Sequence, residues 1–252
     1  MKFHVIIPAR FASSRLPAKM LADIHGKPLI QHVYERAIQS NAASVTIATD
    51  HEQIQQVAEN FGAQVCLTAT SHNSGTERMA EAAEKLGFDD DEIVVNVQGD
   101  QPLVPVSTIN LAAQALQEMT TISMSTIAAP IKQRADLFDP NIAKVVRDKQ
   151  GCALYFSRAL IPWNRDALLA EPSGASIDLQ HYYQHMGLYA YRVGFIKRYL
   201  TWEASPLENI EMLEQLRVLW HGEKIYVAIT DEKIPPEVNT QADLELVREW
   251  NE

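Results

Sequence analysis

The run Phe3-His4-Val5-Ile6-Ile7 leads directly into Pro8-Ala9-Arg10-Phe11-Ala12-Ser13-Ser14-Arg15-Leu16-Pro17-Ala18-Lys19. A short β-branched segment that ends in small residues reads as a buried strand opening onto a ligand-facing loop. Similar runs recur at residues 44–49, 64–67, 92–97 and 122–128. Helical patterns lie between them: Pro28 opens one to about residue 40, Asp50 caps one to about 61, Ser74 and Glu77 form a capping pattern before Met79, and Ser107 caps the next. This alternation predicts an α/β fold, a Rossmann-like, mostly parallel sheet with helices on both faces. Open sheets of this kind bind ligands beyond the carboxyl ends of their strands, which directs attention to residues 8–19, 69–78 and 98–102.

The rest of the chain fits a single unit with a lobe. Residues 143–148 and 153–157 flank Lys149-Gln150-Gly151 as a hairpin, and 186–192 reads as a further strand. Residues 164–182 show no periodicity and are expected to form a mobile, closing loop. Helices are expected at 193–202 and 207–221, then a strand at 224–229 and a last helix from Thr240, capped with Asp243. In the 207–221 segment Ile210, Leu213, Leu216 and Trp220 form one stripe that faces either the core, the preferred reading, or a twin subunit. The division is about 1–130 for a nucleotide-binding core, 131–230 for a smaller β-rich lobe and 231–252 for a return to the core.

Composition narrows the class. The chain has 252 residues, 46% of them apolar, and 22 Lys+Arg against 32 Asp+Glu give a net charge of −10. That is a globular composition with enough chain for a sizeable core. An acidic protein, of pI near 5.3, lacks the general basic face that nucleic acid or an anionic membrane requires. Its cations gather at the start, where Lys2, Arg10, Arg15, Lys19 and Lys27 face Asp23 alone. Pro8 and Arg10 interrupt the first apolar run, and no run approaches the roughly 20 residues needed to span a bilayer. A cytoplasmic location without membrane insertion is expected. Cys66 and Cys152 match no metal or redox spacing and read as buried apolar residues.

Three loops could carry chemistry. Arg10, Arg15 and Lys19, with Ser13 and Ser14, suit a polyphosphate whose charge must be neutralised, although the same loop also reads as a solvated basic turn. It has neither P-loop nor dinucleotide-fingerprint spacing. Asn96-Val97-Gln98-Gly99-Asp100 offers one carboxylate at a strand tip, suited to a hard cation such as Mg²⁺ and equally to ordinary turn chemistry. Ser74-Gly75-Thr76-Glu77-Arg78 sets hydroxyls and backbone groups at a helix start, suited to a base edge or a phosphate, or simply a capped helix. Arg158, Arg165, His185, Tyr189, Glu214 and Gln215 could clasp a hydroxylated acid.

Taken together, Ile7-Pro8-Ala9-Arg10, Ser14-Arg15-Leu16-Pro17, Gly26-Lys27-Pro28, Ala48-Thr49-Asp50, Ser74-Gly75-Thr76-Glu77-Arg78, Val97-Gln98-Gly99-Asp100, Ala153-Leu154-Tyr155-Phe156-Ser157-Arg158 and Leu213-Glu214-Gln215-Leu216-Arg217 resemble the CMP-Kdo synthetases, the 3-deoxy-manno-octulosonate cytidylyltransferases. The likeness runs along nearly the entire chain in order. It implies a nucleotidyltransferase fold, a homodimer, and attack of the anomeric hydroxyl of Kdo on the α-phosphate of CTP, yielding CMP-Kdo for lipopolysaccharide synthesis. By resemblance, Ala9, Arg10, Ser14, Arg15 and Lys19 hold the triphosphate, Ser74, Gly75, Arg78 and Gln98 help hold the nucleotide, and Asp100 with Asn239 binds Mg²⁺. Lys19, Arg15 and Asp100 are the catalytic set. Gln98, Arg158, Arg165, His185, Tyr189, Glu214 and Gln215 line the sugar site.

Two positions depart from the family pattern. Gln101 stands where many relatives carry Glu, and Val238-Asn239-Thr240 replaces Val-Asp-Thr, removing one negative charge from the expected metal site. A weaker second Mg²⁺ site is the expectation. The same chemistry on 8-amino-Kdo or another acidic sugar, and a CTP-binding protein with weakened catalysis, are the alternatives.

Overall fold

The computed structural model describes residues 2–13, 15–72 and 74–250. Its strands are β1 (Phe3–Ala9), β2 (Asp23–Ile24), β3 (Lys27–Pro28), β4 (Ser44–Thr49), β5 (Gln64–Leu67), β6 (Ile93–Asn96), β7 (Met124–Pro130), β8 (Lys144–Arg147), β9 (Ala153–Ser157), β10 (Tyr183–Arg192) and β11 (Ile225–Ile229). The main sheet follows the order β11-β7-β10-β6-β1-β4-β5, with β8 joined to β10 and β9 to β8. β6, β1, β4 and β5 pair in parallel, as do β7 and β11, and β10 runs antiparallel between β6 and β7. β1 is buried along its whole length, which its Val-Ile-Ile run dictates in a strand covered on both faces. Ile6 turns its carbonyl to the β6 side, where it accepts from the Val97 N–H, so the nitrogen of Pro8, two positions on, faces the same side past the last β6 partner, Asn96, and its missing N–H interrupts no ladder bond to β4.

Two large apolar cores, one containing Val5, Ile7, Leu29 and Ile109 and the other Ile6, Met79, Phe156 and Phe195, belong to the layered fold. A third, smaller core holds Ile131, Leu137, Leu168, Ile177 and Tyr182. Residues 164–182 therefore differ from the expected structureless loop. They contain a helix, Arg165–Ala170, and a 3₁₀ turn, Leu179–His181, fastened by the buried Leu168 and Ile177.

Other local differences have identifiable causes. Asp50 does not cap the helix Glu52–Asn60; His51 does, accepting from the Gln53 N–H, because the Asp50 carboxylate is drawn to the Phe11 N–H and to Arg78. Ser107 lies inside the helix Val106–Glu118, whose N-cap is Pro105, and its hydroxyl donates to Glu232. The expected helix 207–221 is broken into Pro206–Glu211 and Leu216–Trp220, with Met212 at φ +53° between them. The break splits the apolar stripe: Leu213 and Leu216 are buried, whereas Ile210 and Trp220 are exposed. Cys66 and Cys152 are buried free thiols. Among the described residues no helix is long and apolar enough to cross a membrane.

Candidate active site

A cavity of about 340 Å³ opens beyond the carboxyl ends of β1 and β6. Pro8, Arg10, Ser13, Arg15, Lys19, His72, Ser74, Gly75, Arg78, Gln98, Gly99, Asp100, Glu214 and Asn239 line it. All three predicted loops thus meet at one place. Ser14, also expected here, lies outside the described residues. Ala9 is fully buried in β1 and supports the loop from below.

Lys19 ties the site together. The residue is buried, and its ammonium donates to Asp100 Oδ2 at 2.7 Å, to the Val238 carbonyl at 3.0 Å and to Asn239 Oδ1 at 3.4 Å. The last two partners lie more than 200 positions away in sequence, and the backbone brings them in: the Val238 N–H donates to the Asp100 carbonyl. Asp243, in the capping box of the helix Gln241–Glu249, accepts from the N–H groups of Asn239 and Thr240 and holds the segment in place. Arg15 Nη2 donates to Asn239 Oδ1 at 2.9 Å. Gly99 is required by space, since a Cβ there would sit 2.9 Å from both the Met20 sulfur and the Pro8 carbonyl oxygen.

The opposite wall is the start of the helix Gly75–Lys85, where Ser74 accepts from the Glu77 N–H. Its backbone N–H groups and macrodipole favour an anionic or hydrogen-bond-accepting ligand. Arg78 touches the cavity, but its guanidinium is already engaged by Asp50, Thr68 Oγ1 and the Ala69 carbonyl. Asp50 in turn accepts from the Phe11 N–H, and Phe11 stacks on His51 at 3.8 Å. Arg78 therefore braces the basic loop as much as it faces a ligand. At the mouth, His72 hydrogen-bonds Glu81. Burial acts to raise the Glu81 carboxyl, but hydrogen bonds from Lys85, the Ala69 N–H and His72 outweigh it and hold the group at about 2.

Two smaller cavities adjoin. One, of about 40 Å³, is lined by Thr76, Asn96, Gln98, Tyr189, Tyr191, Tyr199, Glu214 and Gln215, so Gln98 and Glu214 form a wall shared with the large pocket. Burial raises the Glu214 carboxyl above the ordinary carboxylate range, opposed by hydrogen bonds from Tyr199 and Thr76. The other, of about 50 Å³, is lined by Gln101, His185, Gly187, Glu237 and apolar neighbours, at a β-bulge between Met186 and Tyr189 of β10. Desolvation pushes His185 down to about 3, keeping it neutral. The Thr126 hydroxyl donates to the Leu188 carbonyl and so accepts from His185 Nε2, leaving Nδ1 as the acceptor. Gln101 Nε2 donates to Glu237 Oε1 at 2.7 Å, while Gln101 Oε1 is buried without a partner. Part of Glu237 is open to solvent, yet the protein packed around its carboxyl and the nearby Asp100 raise its pKa.

His185, Tyr189, Glu214 and Gln215 thus gather beside the large pocket, but Arg158 and Arg165 do not. Arg158 is spent on backbone carbonyls of Glu211, Pro140 and Met212, and clamps the left-handed break between the two short helices. Arg165 lies on the outside of its helix, its side chain 81% exposed beside Asp166. Sequence reasoning missed Glu237, Asn96 and the Tyr191–Tyr199 pair. A Glu two positions before Asn239 was the only signal for the first, and the others are unremarkable within their own elements.

The comparisons agree with this architecture. A family model described as Cytidylyltransferase matches residues 4–225. A protein of Coxiella burnetii (strain Dugway 5J108-111) named 3-deoxy-manno-octulosonate cytidylyltransferase is 52% identical over 250 residues, covering 99% of this chain and 100% of its own length. One of the same name from Histophilus somni (strain 129Pt) is 53% identical over 251 residues, with 98% of each chain covered. Among solved structures, a CMP:2-keto-3-deoxy-manno-octonic acid synthetase complexed with CTP aligns at a TM-score of 0.89 and 37% identity, covering 99% of this chain and 98% of its own. A cytidylyltransferase from Leptospira borgpetersenii shares the fold at a TM-score of 0.63 and 18% identity, covering 98% and 85%.

Proposed function

The chain belongs to the cytidylyltransferase family, and on that premise we propose that it joins CTP to Kdo, forming CMP-Kdo and pyrophosphate. The observation that carries the reading is the Lys19–Asp100–Asn239 cluster, set beside Arg15 and Arg10 on one side and a cavity lined by tyrosines, amides and Glu214 on the other. The anomeric oxygen of the sugar forms a bond to the α-phosphorus while the bond to the bridging oxygen of pyrophosphate breaks, and the hydroxyl proton is released. Arg10, Arg15 and Lys19 neutralise phosphate charge so that the oxygen can approach, and Ser74 and Gly75 present the helix start to the nucleotide. Positioning and charge neutralisation suffice for phosphoryl-group chemistry of this type, and no protein nucleophile is needed.

Asp100 offers a hard carboxylate oxygen and Asn239 an amide oxygen, and among the described residues no three His, Cys, Asp or Glu side chains form a metal-binding group. That set fits a divalent cation such as Mg²⁺ that draws its remaining ligands from phosphate oxygens and water. When bound, such a cation supplies charge stabilisation at the phosphates. His185, Tyr189, Glu214, Gln215 and Gln98 face the sugar. Activated Kdo serves lipopolysaccharide synthesis in the cytoplasm in this reading. The working unit is a homodimer, supported by the exposed Leu154, Trp163, Leu169, Ile210 and Met212 within residues 131–230.

A second reading changes only the acceptor. The Glu237 carboxylate and the unpartnered Gln101 Oε1 face one small cavity beside Asp100, which suits an ammonium group better than a hydroxyl. This favours 8-amino-Kdo as an alternative sugar. Pyrophosphate release from CTP and Mg²⁺ with Kdo, with 8-amino-Kdo and with no sugar tests both readings. Sugar-dependent release is expected, and a higher kcat/KM for the amine selects the second reading. CTP binding with no release for either sugar contradicts both.

A further inference from the structure

We infer that the small cavity between Gln101, His185 and Glu237 is a site for one water-sized monovalent cation, potassium or ammonium, which the protein binds without either substrate. The cavity, of about 50 Å³, lies between the irregular segment 231–239, which joins β11 to the last helix, and the bulge of β10. Gln101 is 9% exposed, and Glu237 orients its amide: Nε2 donates to Glu237 Oε1 at 2.7 Å, which leaves Oε1 buried and without a partner. Both side chains lie over Gly187, where an added Cβ would stand 3.8 Å from Glu237 Oε1 and 3.9 Å from Gln101 Nε2.

The lining collects acceptors. Gln101 Oε1 is joined by the Glu237 carboxylate and by His185, a neutral ring whose Nε2–H is committed to Thr126 and whose Nδ1 accepts. Donors are scarce, since Pro105, Pro235 and Pro236 bring no N–H. Among the described residues no Lys or Arg lines the cavity; Lys19, whose charge bears on Glu237, spends its donors on Asp100, Val238 and Asn239. A buried acceptor left unpaired is costly, and so is a partly buried carboxylate without a counter-charge. One water donates to two acceptors and leaves that charge unbalanced. A single positive charge answers the carboxylate, while the amide oxygen and the imidazole nitrogen replace part of the ion's hydration. The space exceeds the roughly 10–15 Å³ that one water needs, which suits potassium or ammonium. Mg²⁺ dehydrates reluctantly and keeps several waters, and is too bulky in that form. The same segment continues into Val238 and Asn239, whose oxygens meet Lys19, so an ion beneath it also steadies the charged pocket.

The test uses the substrate-free protein, whose melting temperature is compared in choline, potassium, ammonium and magnesium chlorides at equal ionic strength. Potassium or ammonium should raise it by about 2–4 °C over choline. Glu237→Gln should abolish that increment, and a wild-type crystal soaked in thallium(I), a stand-in for potassium, should show the ion between Gln101 Oε1 and Glu237. If the variant does not fold, Gln101→Met is read the same way. No increment over choline, or an equal one in Glu237→Gln, means that the cavity holds water and overturns the site. An increment that magnesium alone gives overturns it as well. A shift that 8-amino-Kdo produces in choline, and that neither free ion produces, makes the cavity an amine subsite of the sugar and overturns the resident ion. Each of these results is obtained without turnover, so the proposed reaction stands or falls separately on pyrophosphate release.

Discussion

The charged pocket and the tyrosine-lined cavity share Gln98 and Glu214 as a wall, yet they are built by opposite means. In the charged pocket two cations are already paired with carboxylates, Lys19 with Asp100 and Arg78 with Asp50, and Arg15 donates to the Asn239 amide oxygen. The cavity instead keeps two neutral amide atoms, Asn96 Oδ1 and Gln215 Nε2, unpaired among tyrosines. Charged groups left alone in a partly buried site would be costly, so the protein pairs them until phosphates arrive. Neutral amides can wait at lower cost and read the acceptor by shape and hydrogen-bond sense. In the proposed reaction the nucleotide side is thus set by charge and the acceptor side by complementarity.

This contrast is broken most severely by Asp100→Asn. It removes the carboxylate that pairs Lys19 and that suits a cation, so kcat for pyrophosphate release should fall at least about a thousandfold, with far less change in CTP binding measured by calorimetry. An effect confined to CTP affinity would mean that Asp100 only shapes the pocket. Tyr199→Phe acts on the other side of the wall. Without the Tyr199 donor, the Glu214 carboxyl, already raised by burial, rises further, so the ionised form is lost at higher pH. The KM for the sugar should increase several-fold, on the order of one neutral hydrogen bond, and the acidic limb of the pH profile for sugar kcat/KM should move upward. The KM for CTP should stay put.

Smaller changes sharpen the boundaries of the two compartments. Arg158→Met leaves three backbone carbonyls without their donor and should lower stability by about 1–3 kcal/mol in urea unfolding, with both KM values unchanged. A selective rise in the sugar KM would return Arg158 to the acceptor site. Asn239→Asp adds a carboxylate where Arg15 and Lys19 already point, and should lower the Mg²⁺ concentration giving half-maximal rate by a few-fold. An unchanged Mg²⁺ titration would show that position 239 takes no part in holding the cation.

The nucleotide side was legible in the sequence because its signals are contiguous. Arg10, Arg15 and Lys19 follow one strand within ten positions, and Gly99-Asp100 ends another. β1, β4, β5 and the hairpin around Gly151 were readable for the same reason, since each is fixed by local periodicity or a turn residue. The neighbouring cavity was legible only in part: the resemblance named Gln98, Tyr189, Glu214 and Gln215, whereas Thr76, Asn96 and Tyr199 come from distant segments that converge only through the sheet. The break at Met212 was hidden as well. Methionine does not ordinarily mark a left-handed residue, and the chain is held there by tertiary contacts from Arg158 rather than by local sequence. Asp50 misled as a cap because a long-range partner, Arg78, outcompeted the local one.

The most direct measurement is a crystal structure of the protein with a non-hydrolysable CTP analogue, Mg²⁺ and Kdo bound together. The account predicts phosphates against Arg10, Arg15 and Lys19, the cation on Asp100, and the sugar against Gln98, Tyr189 and Gln215. A sugar seated away from those residues would contradict the two-compartment account.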